Sequence, residues 1–277
     1  MEFPTIPLAG VVGSPISHSK SPMLHGYWLR KYGLPGFYVP LDVKTSDFRE
    51  VLRMLPQMGF VGVNVTIPHK EAALQVADVV ADRASLIGAA NTLSFRPDGT
   101  IHADNTDGYG FIENLRAGAP KWDPKITPAA VLGGGGAARA VVASLLEAGV
   151  PEILLSNRTR VRAEKLQYDF GQRVKVVDWV QAGNMLESVD LVVNTTSLGM
   201  MGKPRMRVPF DGLRQTTVVS DLVYTPLQTE LLRAAKAHGC VTVDGLGMLL
   251  HQGVPGFERW FGHRPEVDAG LRDMLLA

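Results

Sequence analysis

The chain has 277 residues, with 28 lysines and arginines against 27 aspartates and glutamates, and its net charge at pH 7 is +1. Charges that balance in this way argue against a nucleic-acid-binding protein and against a protein that docks on an anionic membrane. The length suits two packed α/β domains, and a hydrophobic fraction of 45% is enough to build a large core.

The cysteine content and the N-terminal residues bear on where the protein works. Cys240 is the only cysteine, so neither an intrachain disulfide nor a cysteine-based zinc site can form. The first residues lack the basic segment and apolar run of a signal peptide, and no apolar run is long enough to span a membrane. We expect a soluble cytoplasmic protein whose partners are small molecules, without nucleic acid or membrane. The sequence does not specify an oligomeric state, and a homodimer stays open.

The first part of the chain alternates strand and helix patterns. The patterns predict three strands, at 8–13, 37–43 and 60–66, and two helices, at 21–31 and 48–58. Pro22 suits the first turn of the first helix, and Gly59 ends the second. The alternation predicts parallel pairing. Residues 91–95 and 100–103 flank the turn Pro97-Asp98-Gly99 and predict a hairpin added to the same sheet.

The second part of the chain starts a new α/β pattern. Three prolines, Pro120, Pro124 and Pro128, predict a stiff interdomain crossing over 118–128. Beyond them the patterns predict strands at 129–132, 153–155, 174–177, 191–194, 218–221 and 241–243, and helices at 137–148 and 227–238. This alternation predicts a doubly wound parallel sheet.

A glycine-rich turn follows the first strand of this second pattern. Gly133, Gly135 and Ala138 match the G-x-G-x-x-G/A fingerprint, between a short apolar strand and an amphipathic helix. In that context glycine permits a sharp turn and lets a pyrophosphate approach the backbone N–H groups at the helix N-terminus. The sequence therefore predicts a dinucleotide site. The alternative is a turn that only connects strand to helix.

The residues after the next strand distinguish NADP from NAD. NAD sites usually place an acidic residue about 20 residues beyond the glycines, where it binds the ribose 2′-hydroxyl. Here the segment 157–162 reads Asn-Arg-Thr-Arg-Val-Arg and contains no acid. Guanidinium groups hydrogen-bond a 2′-phosphate well, so this segment predicts NADP. The alternative is a solvated basic surface, which would suit a helix N-terminus poorly.

Polar residues cluster where the strands of the first domain are predicted to end. The clusters are the segments 17–21, 64–70, 91–92 and 104–107. Strand ends in a parallel sheet border a crevice, and converging hydroxyls and amides suit a small polyhydroxylated ligand. Lys20 or Lys70 could neutralise a carboxylate or transfer a proton. No metal is expected, since His18, His69 and His251 lack metal-ligand spacing.

Several of these polar residues also have ordinary structural interpretations. Ser21 before Pro22 is a good helix N-cap, Asn91 could close a turn, and Thr66 is typical of strands. Isolated lysines such as Lys70 are usually solvated. Only their order along the chain favours a functional role.

Taken in order, these segments resemble the motifs of the shikimate dehydrogenase family. The matching segments are 19–22 (SKSP), 64–70 (NVTIPHK), 90–92 (ANT), 105–108 (NTDG), 157–159 (NRT), 221–226 (DLVYTP) and 244–252. They extend over essentially the whole chain and are highly specific as an ordered set. Gly134 stands where the family commonly has alanine, and Leu222 where it often has methionine.

The resemblance implies reversible reduction of 3-dehydroshikimate to shikimate by NADPH. It implies that Lys70 is the acid/base and that Asp107 is its carboxylate partner. Hydride addition to a carbonyl builds negative charge on oxygen, so a positioned ammonium that donates a proton lowers the barrier. The reverse oxidation needs the same group as a base.

The resemblance also implies the remaining site residues and the domain arrangement. The implied substrate ligands are Ser19, Ser21, Thr66, Asn91, Tyr224 and Gln252. The implied cofactor ligands are Gly133, Gly134, Gly135, Gly136, Ala137, Asn157, Arg158, Thr159 and Arg162, with Asp82, Leu222 and Gly245 nearer the nicotinamide. The implied fold is α/β with two domains and a cleft between them. The substrate domain, with a mainly parallel sheet, covers 1–106 and regains 246–277, and a Rossmann-type NADP-binding domain covers 107–245.

Two other functions remain open at this point. The first is a quinate or quinate/shikimate dehydrogenase, because one extra hydroxyl is a small difference in a polar pocket. The second is a non-catalytic NADP(H)-binding regulatory protein, against which the presence of both Lys70 and Asp107 argues.

Overall fold

The computed structural model describes residues 6–277. It divides into two compact units, one formed by the chain up to Thr106 together with Gln252–Ala277, and the other by Asp107–His251. Each unit contains a six-stranded sheet. Among the described residues, no helix is long and apolar enough to cross a membrane.

The strands of both units follow the apolar runs of the sequence. They are β1 (Leu8–Gly13), β2 (Phe37–Asp42), β3 (Phe60–Val65), β4 (Val79–Val80), β5 (Thr92–Phe95), β6 (Ile101–Asp104), β7 (Ala129–Leu132), β8 (Ile153–Ser156), β9 (Val174–Val177), β10 (Leu191–Asn194), β11 (Val218–Asp221) and β12 (Val241–Val243). The first unit has the order β2-β1-β3-β5-β6-β4. Pairing is parallel among β1, β2 and β3, and β5 and β6 form an antiparallel hairpin, which confirms both predictions.

Eleven helices cover these sheets in the described part of the chain. They are α1 (Ser21–Lys31), α2 (Phe48–Met54), α3 (Lys70–Val76), α4 (Asp82–Ile87), α5 (Asp107–Gly118), α6 (Gly136–Ala148), α7 (Arg160–Phe170), α8 (Glu230–Ala237), α9 (Gly245–Gln252), α10 (Val254–Phe261) and α11 (Ala269–Leu276). A 3₁₀ turn at Leu55–Met58 continues α2. The sequence patterns did not predict α3, α4 or α5.

Helix α5 corrects the predicted position of the interdomain crossing. Phe111 and Leu115 of α5 lie in one core cluster with Val141 and Leu145 of α6, so α5 belongs to the second unit. The proline-rich segment 118–128 follows α5 and lies inside that unit, and the chain passes between units before it. Its glycines lower the helix propensity of this segment. Gly108 allows close packing on α6, since a Cβ there would lie 3.1 Å from the Ala140 carbonyl oxygen.

The end of the chain completes the core of the first unit. Trp260 of α10 is buried and its indole Nε1 donates to the Leu93 carbonyl over 3.0 Å. A Cβ on Gly62 would lie 1.9 Å from that nitrogen, so only glycine lets the indole reach the sheet. Trp28 of α1 likewise donates to the Glu266 carbonyl at 2.9 Å. The last helices are therefore an integral part of this unit.

The second unit is a doubly wound Rossmann-type sheet. Its order is β12-β11-β10-β7-β8-β9, with every pair parallel. One core cluster joins α5 and α6 to one face, and a second cluster joins α8 to the other. The strand order reverses between β7 and β10, and ligands of such sheets bind at the carboxyl ends of the strands beside that reversal.

Candidate active site

The glycine-rich turn lies at this reversal in strand order. Gly133 follows β7 with φ of +120°, in the region that favours glycine. Its N–H donates to the Ser156 carbonyl at 2.8 Å, and a Cβ would lie 2.3 Å from Thr195 Oγ1. Thr195 follows β10 and donates to the Leu132 carbonyl at 2.8 Å. The turn is thus held against the end of β10.

The N-terminus of α6 is open to a ligand. Gly135 is its N-cap and supplies no side-chain hydrogen bond to the first turn. A Cβ on Gly135 or on Gly136 would have nothing within 4 Å, and both glycines are exposed with Ala137. Uncapped N–H groups at the start of a 13-residue helix make a site for an anion such as a pyrophosphate.

The three arginines after β8 are not equivalent. Arg160 bonds Glu164 at 2.8 Å and also pairs with Asp178. Arg158 and Arg162 are exposed, and neither forms an ion pair with any residue that the structure describes. These two are available for a phosphate, whereas Arg160 is engaged. Sequence alone could not show this, because Asp178 lies far along the chain.

Asn157 and Gly134 shape the loop that carries these arginines. The Asn157 side-chain amide donates to the Thr159 carbonyl at 2.8 Å. A Cβ on Gly134 would lie 3.1 Å from Asn157 Cγ and 3.2 Å from Arg162 Cβ, so the alanine common in the family would press on both. The structure therefore brings Gly134, Asn157 and Arg162 together. With the open α6 terminus, this donor set fits a phosphorylated dinucleotide.

A buried carboxylate organises the loop after β11. Asp221 accepts hydrogen bonds from Asn194 Nδ2 at 2.8 Å, Thr229 Oγ1 at 2.7 Å and the Val223 N–H at 3.0 Å. Burial raises the pKa of Asp221, although these hydrogen bonds act to lower it. The sequence patterns did not single out this network, because its members are distant in the chain.

The Asp221 network brings together two predicted cofactor residues of the second unit. The Leu222 N–H donates to the Asn194 carbonyl at 3.0 Å. A Cβ on Gly245 would lie 2.2 Å from the Leu222 carbonyl oxygen, so Gly245 is in direct contact with Leu222. Tyr224 lies on the same loop and is half-exposed.

In the first unit, Ser19, Lys20 and Ser21 form the start of α1. The Ser21 N–H donates to Ser19 Oγ at 3.3 Å, and Ser21 is buried. The N-cap is Lys20, without a side-chain cap, so the N-cap interpretation of Ser21 was wrong. Lys20 Nζ donates to the Leu275 carbonyl. Of the two lysines that the sequence proposed for proton transfer, Lys20 is therefore held by the C-terminal helix.

Asn91 is the centre of a buried polar network in this unit. Its Oδ1 accepts from the Thr106 N–H at 2.8 Å and from Thr92 Oγ1 at 3.0 Å. Its Nδ2 donates to Gln252 Oε1 at 3.2 Å, and Thr106 Oγ1 donates to the Gln252 carbonyl at 2.9 Å. Asn91 does more than close a turn, and two predicted substrate ligands from distant segments are in contact.

Lys70 begins α3, directly beside the segment that carries Asn91. The Lys70 carbonyl accepts from the Ala90 N–H at 2.8 Å. The preceding His69 is buried, its Nε2 is 2.7 Å from the Val43 carbonyl oxygen, and its ring stacks on Phe48 with centroids 4.4 Å apart. These contacts hold the loop that positions Lys70.

The other predicted site residues lie at element ends. Thr66 follows β3, and its N–H donates to the Val12 carbonyl at 2.9 Å. Asp82 is the exposed first residue of α4, in the first unit. Asp107 is the partly exposed first residue of α5, in the second unit.

Asp104 belongs to the polar segment 104–107, but the sequence patterns gave it no role of its own. It is buried and bonds Arg83 Nε at 2.7 Å and Arg259 Nη2 at 2.5 Å. Burial would raise the pKa of Asp104, but the two guanidinium groups outweigh it and lower the pKa. Its Oδ1 also accepts from the Asn105 N–H at 2.7 Å, so it supports the turn that leads to Thr106.

Comparison with known proteins identifies the family. Three family profiles match successive parts of the chain: the shikimate dehydrogenase substrate binding domain at residues 11–93, shikimate / quinate 5-dehydrogenase at 123–201, and the shikimate 5′-dehydrogenase C-terminal domain at 245–272. A shikimate dehydrogenase (NADP(+)) of Cereibacter sphaeroides is 67% identical over 100% of this chain and 99% of its own length. The chain belongs to the shikimate dehydrogenase family.

Solved structures of shikimate dehydrogenases and their relatives share the fold. The Thermus thermophilus shikimate 5-dehydrogenase, in complex with NADP(H) and shikimate, is 38% identical with a TM-score of 0.85, covering 97% of this chain and 98% of that one. The Corynebacterium glutamicum quinate dehydrogenase, in complex with NAD, is 31% identical with a TM-score of 0.90, covering 98% and 99%. The two-domain Rossmann-type fold is therefore common to dehydrogenases that differ in substrate and cofactor.

Proposed function

We propose that this protein is an NADP-dependent shikimate dehydrogenase that reversibly reduces 3-dehydroshikimate to shikimate. The observation that carries the proposal is the contact between Asn91 and Gln252, beside the segment that begins at Lys70. Carboxamides offer both donors and acceptors, which a ring bearing several hydroxyls requires. The relative at 67% identity, a shikimate dehydrogenase (NADP(+)), supports the same substrate and cofactor.

Lys70 acts as the acid/base in this proposal. When the carbonyl is reduced, the Lys70 ammonium donates a proton to the developing alkoxide oxygen, and in the reverse direction the amine accepts it. Asp107 orients the ammonium and bonds a ring hydroxyl. Ser19 and Ser21 hold the substrate carboxylate. The remaining proposed substrate ligands are Thr66, Asn91, Tyr224 and Gln252.

NADP is the proposed cofactor, and it supplies or accepts the hydride when bound. The open α6 terminus suits the pyrophosphate, through Gly133, Gly134, Gly135, Gly136 and Ala137. Arg158 and Arg162, with Asn157 and Thr159, suit the 2′-phosphate. Leu222 and Gly245 are proposed near the nicotinamide, together with Asp82.

The two units take different roles in this proposal. The first unit binds the substrate and the second binds NADP. We also propose a cytoplasmic location, supported by the free Cys240. A homodimer remains a proposal to be tested by the oligomeric state in solution.

Turnover with four substrate and cofactor pairs tests the function. Purified protein is mixed with shikimate or quinate and with NADP⁺ or NAD⁺, and reduced nicotinamide is followed by absorbance. We expect shikimate with NADP⁺ to give the highest kcat/KM. A preference for quinate would replace the proposed substrate, and no turnover with either acid would favour a regulatory protein.

A lysine pair tests the acid/base assignment. Lys70→Ala should lower kcat about 100-fold or more, the usual range for loss of a general acid/base. Lys44→Ala is the matched control, since Lys44 is an exposed lysine of the same unit. An unchanged rate in Lys70→Ala would remove the assigned role.

A further inference from the structure

A buried phenol in the first unit begins a series of hydrogen bonds that reaches two of the predicted substrate ligands. Tyr38 lies on β2 and is 8% exposed. Its hydroxyl donates to Asn64 Oδ1 at 2.7 Å. Neither composition nor strand patterning singled it out, since alternation predicts only that one face of β2 is buried.

The hydrogen bonds that leave Tyr38 run in one direction. Because the phenol donates to Asn64 Oδ1, the amide Nδ2 of Asn64 faces the other way and donates to Thr92 Oγ1 at 3.2 Å and to the Asn91 carbonyl at 3.0 Å. The Thr92 hydroxyl accepts that bond and donates to Asn91 Oδ1 at 3.0 Å. Asn91 Nδ2 then donates to Gln252 Oε1.

The donor and acceptor roles at both ends of this series of hydrogen bonds are fixed. Burial raises the pKa of Tyr38 well above its usual range, so the phenol keeps its proton. At the other end the Thr106 N–H, which can only donate, also meets Asn91 Oδ1 at 2.8 Å. The Thr92 hydroxyl and the Thr106 N–H therefore both identify Oδ1 as the acceptor atom of the Asn91 carboxamide.

The ring of Tyr38 is itself held in place. His25 of α1 is fully buried and stacks on it, with ring centroids 3.9 Å apart and planes 5° from parallel. Trp260 contacts the same ring at 6.1 Å between centroids. The phenol therefore cannot turn away from Asn64 without disturbing the core.

We propose that Tyr38 is a positioning residue for substrate binding, which acts through Asn64 and Thr92 on Asn91 and Gln252. This rests on the proposed function, because Asn91 and Gln252 are substrate ligands only under it. Tyr38 sets the orientation of the Asn91 and Gln252 carboxamides through this series of hydrogen bonds. Loss of the hydroxyl leaves the Asn64 acceptor unsatisfied and frees its amide to rotate.

Two tyrosine variants test the proposal, with binding measured separately from catalysis. Tyr38→Phe removes the hydroxyl and keeps the ring. Tyr27→Phe is the matched control, since Tyr27 also lies on the first unit and its hydroxyl bonds Asp268, away from the network. The dissociation constant of shikimate is measured by calorimetry without cofactor, and KM and kcat by turnover.

For Tyr38→Phe we expect the dissociation constant and the KM for shikimate to rise about tenfold, as for one lost hydrogen bond. The kcat and the KM for NADP⁺ should stay within about twofold of wild type, and Tyr27→Phe should bind shikimate normally. Unchanged affinity in Tyr38→Phe, or an equal loss in Tyr27→Phe, would overturn the proposal. If Tyr38→Phe does not unfold cooperatively, Thr92→Val tests the proposal in its place. It removes the next hydroxyl in the series and should weaken shikimate binding in the same way.

The experiment also separates this proposal from the proposed function. Wild-type protein that neither binds nor oxidises shikimate would reject the function. Wild-type protein that binds shikimate, together with a Tyr38→Phe variant that binds it equally well, would reject only the role of Tyr38.

Discussion

Gly133 and Thr195 approach so closely that a Cβ on the glycine would lie 2.3 Å from the threonine hydroxyl oxygen. The two residues follow β7 and β10, the strands at which the order of the second sheet reverses. The glycine requirement at position 133 is therefore set by packing and by its φ of +120°, before any cofactor is considered.

Gly133→Ala should lower both stability and cofactor affinity. The positive φ and the contact with Thr195 should together cost about 2 to 4 kcal/mol in the free energy of unfolding. Gly135→Ala is the comparison, since its Cβ would meet nothing and its φ is negative. Gly135→Ala should keep the stability of wild type and weaken only NADP⁺ binding, because the new methyl group narrows the space through which the cofactor approaches the N-terminus of α6. Urea unfolding and KM for NADP⁺ measure the two effects, and equal stability in the two variants would contradict the packing argument.

The three arginines after β8 should differ in their effect on NADP⁺ binding, according to whether each one already has an ion-pair partner. Arg158→Ala or Arg162→Ala should raise the KM for NADP⁺ roughly tenfold, as for one lost charge-assisted hydrogen bond, and should change the KM for NAD⁺ little. Arg160→Ala should leave both KM values near wild type, because Arg160 is engaged by Glu164 and Asp178. Steady-state kinetics with both cofactors check this. If Arg160→Ala alone weakened NADP⁺, the assignment of the phosphate ligands would be wrong.

The ion pairs of Asp104 should make the free energy of unfolding depend on pH in the acidic range. The pKa of Asp104 is lowered from 3.8, so its ionised form stabilises the folded state above about that pH and the contribution is lost as pH falls through the folded pKa. Asp104→Asn should lose about 2 kcal/mol near neutral pH, a value reduced because both arginines are partly exposed. The difference from wild type should shrink below about pH 4 in urea unfolding.

The matched control for Asp104 is the exposed pair of Asp78 and Arg53. Arg53 Nη1 lies 2.9 Å from Asp78 Oδ2 in a solvated position. Asp78→Asn should therefore lower the free energy of unfolding less than Asp104→Asn does. An equal cost for the two variants would show that burial of Asp104 adds nothing.

Asp221 should show the opposite dependence on pH. Burial raises its pKa above 3.8, so the folded state holds the proton more tightly than the unfolded state, and stability is lost as pH rises through the folded pKa. Asp221→Asn removes this titration while its carbonyl oxygen can still accept from Asn194 and Val223. The variant should therefore gain stability relative to wild type as pH rises from about 4 towards neutrality. A constant difference across that range in urea unfolding would contradict the raised pKa.

The second unit could be predicted almost strand by strand. All six of its strands lie where apolar runs predicted them, within a residue at each end. Strands buried on both faces of a parallel sheet have nearly continuous apolar sequence, so their signal is strong. The glycine-rich turn after β7 could also be predicted, because the fingerprint lies between a strand and a helix that the sequence patterns predict.

Short helices and distant partners could not be predicted. Helices α3 and α4 have seven and six residues, too few to show a helical period, and α5 carries glycines that lower its helix propensity. Within the candidate site, Lys70 and Asn91 were predicted from ordered motifs. The engagement of Arg160 by Asp178 and the chain from Tyr38 to Gln252 depend on tertiary contacts, which local patterns do not contain.

The division of the chain also affects the order in which it can fold during synthesis. The second unit is a continuous segment, Asp107–His251, whereas the first needs Gln252–Ala277 as well. Trp260 closes the sheet against Leu93, and Glu266 receives the bond from Trp28, so both contacts wait for the last part of the chain to leave the ribosome. The Rossmann sheet can fold while translation continues, and the unit that begins first is completed last.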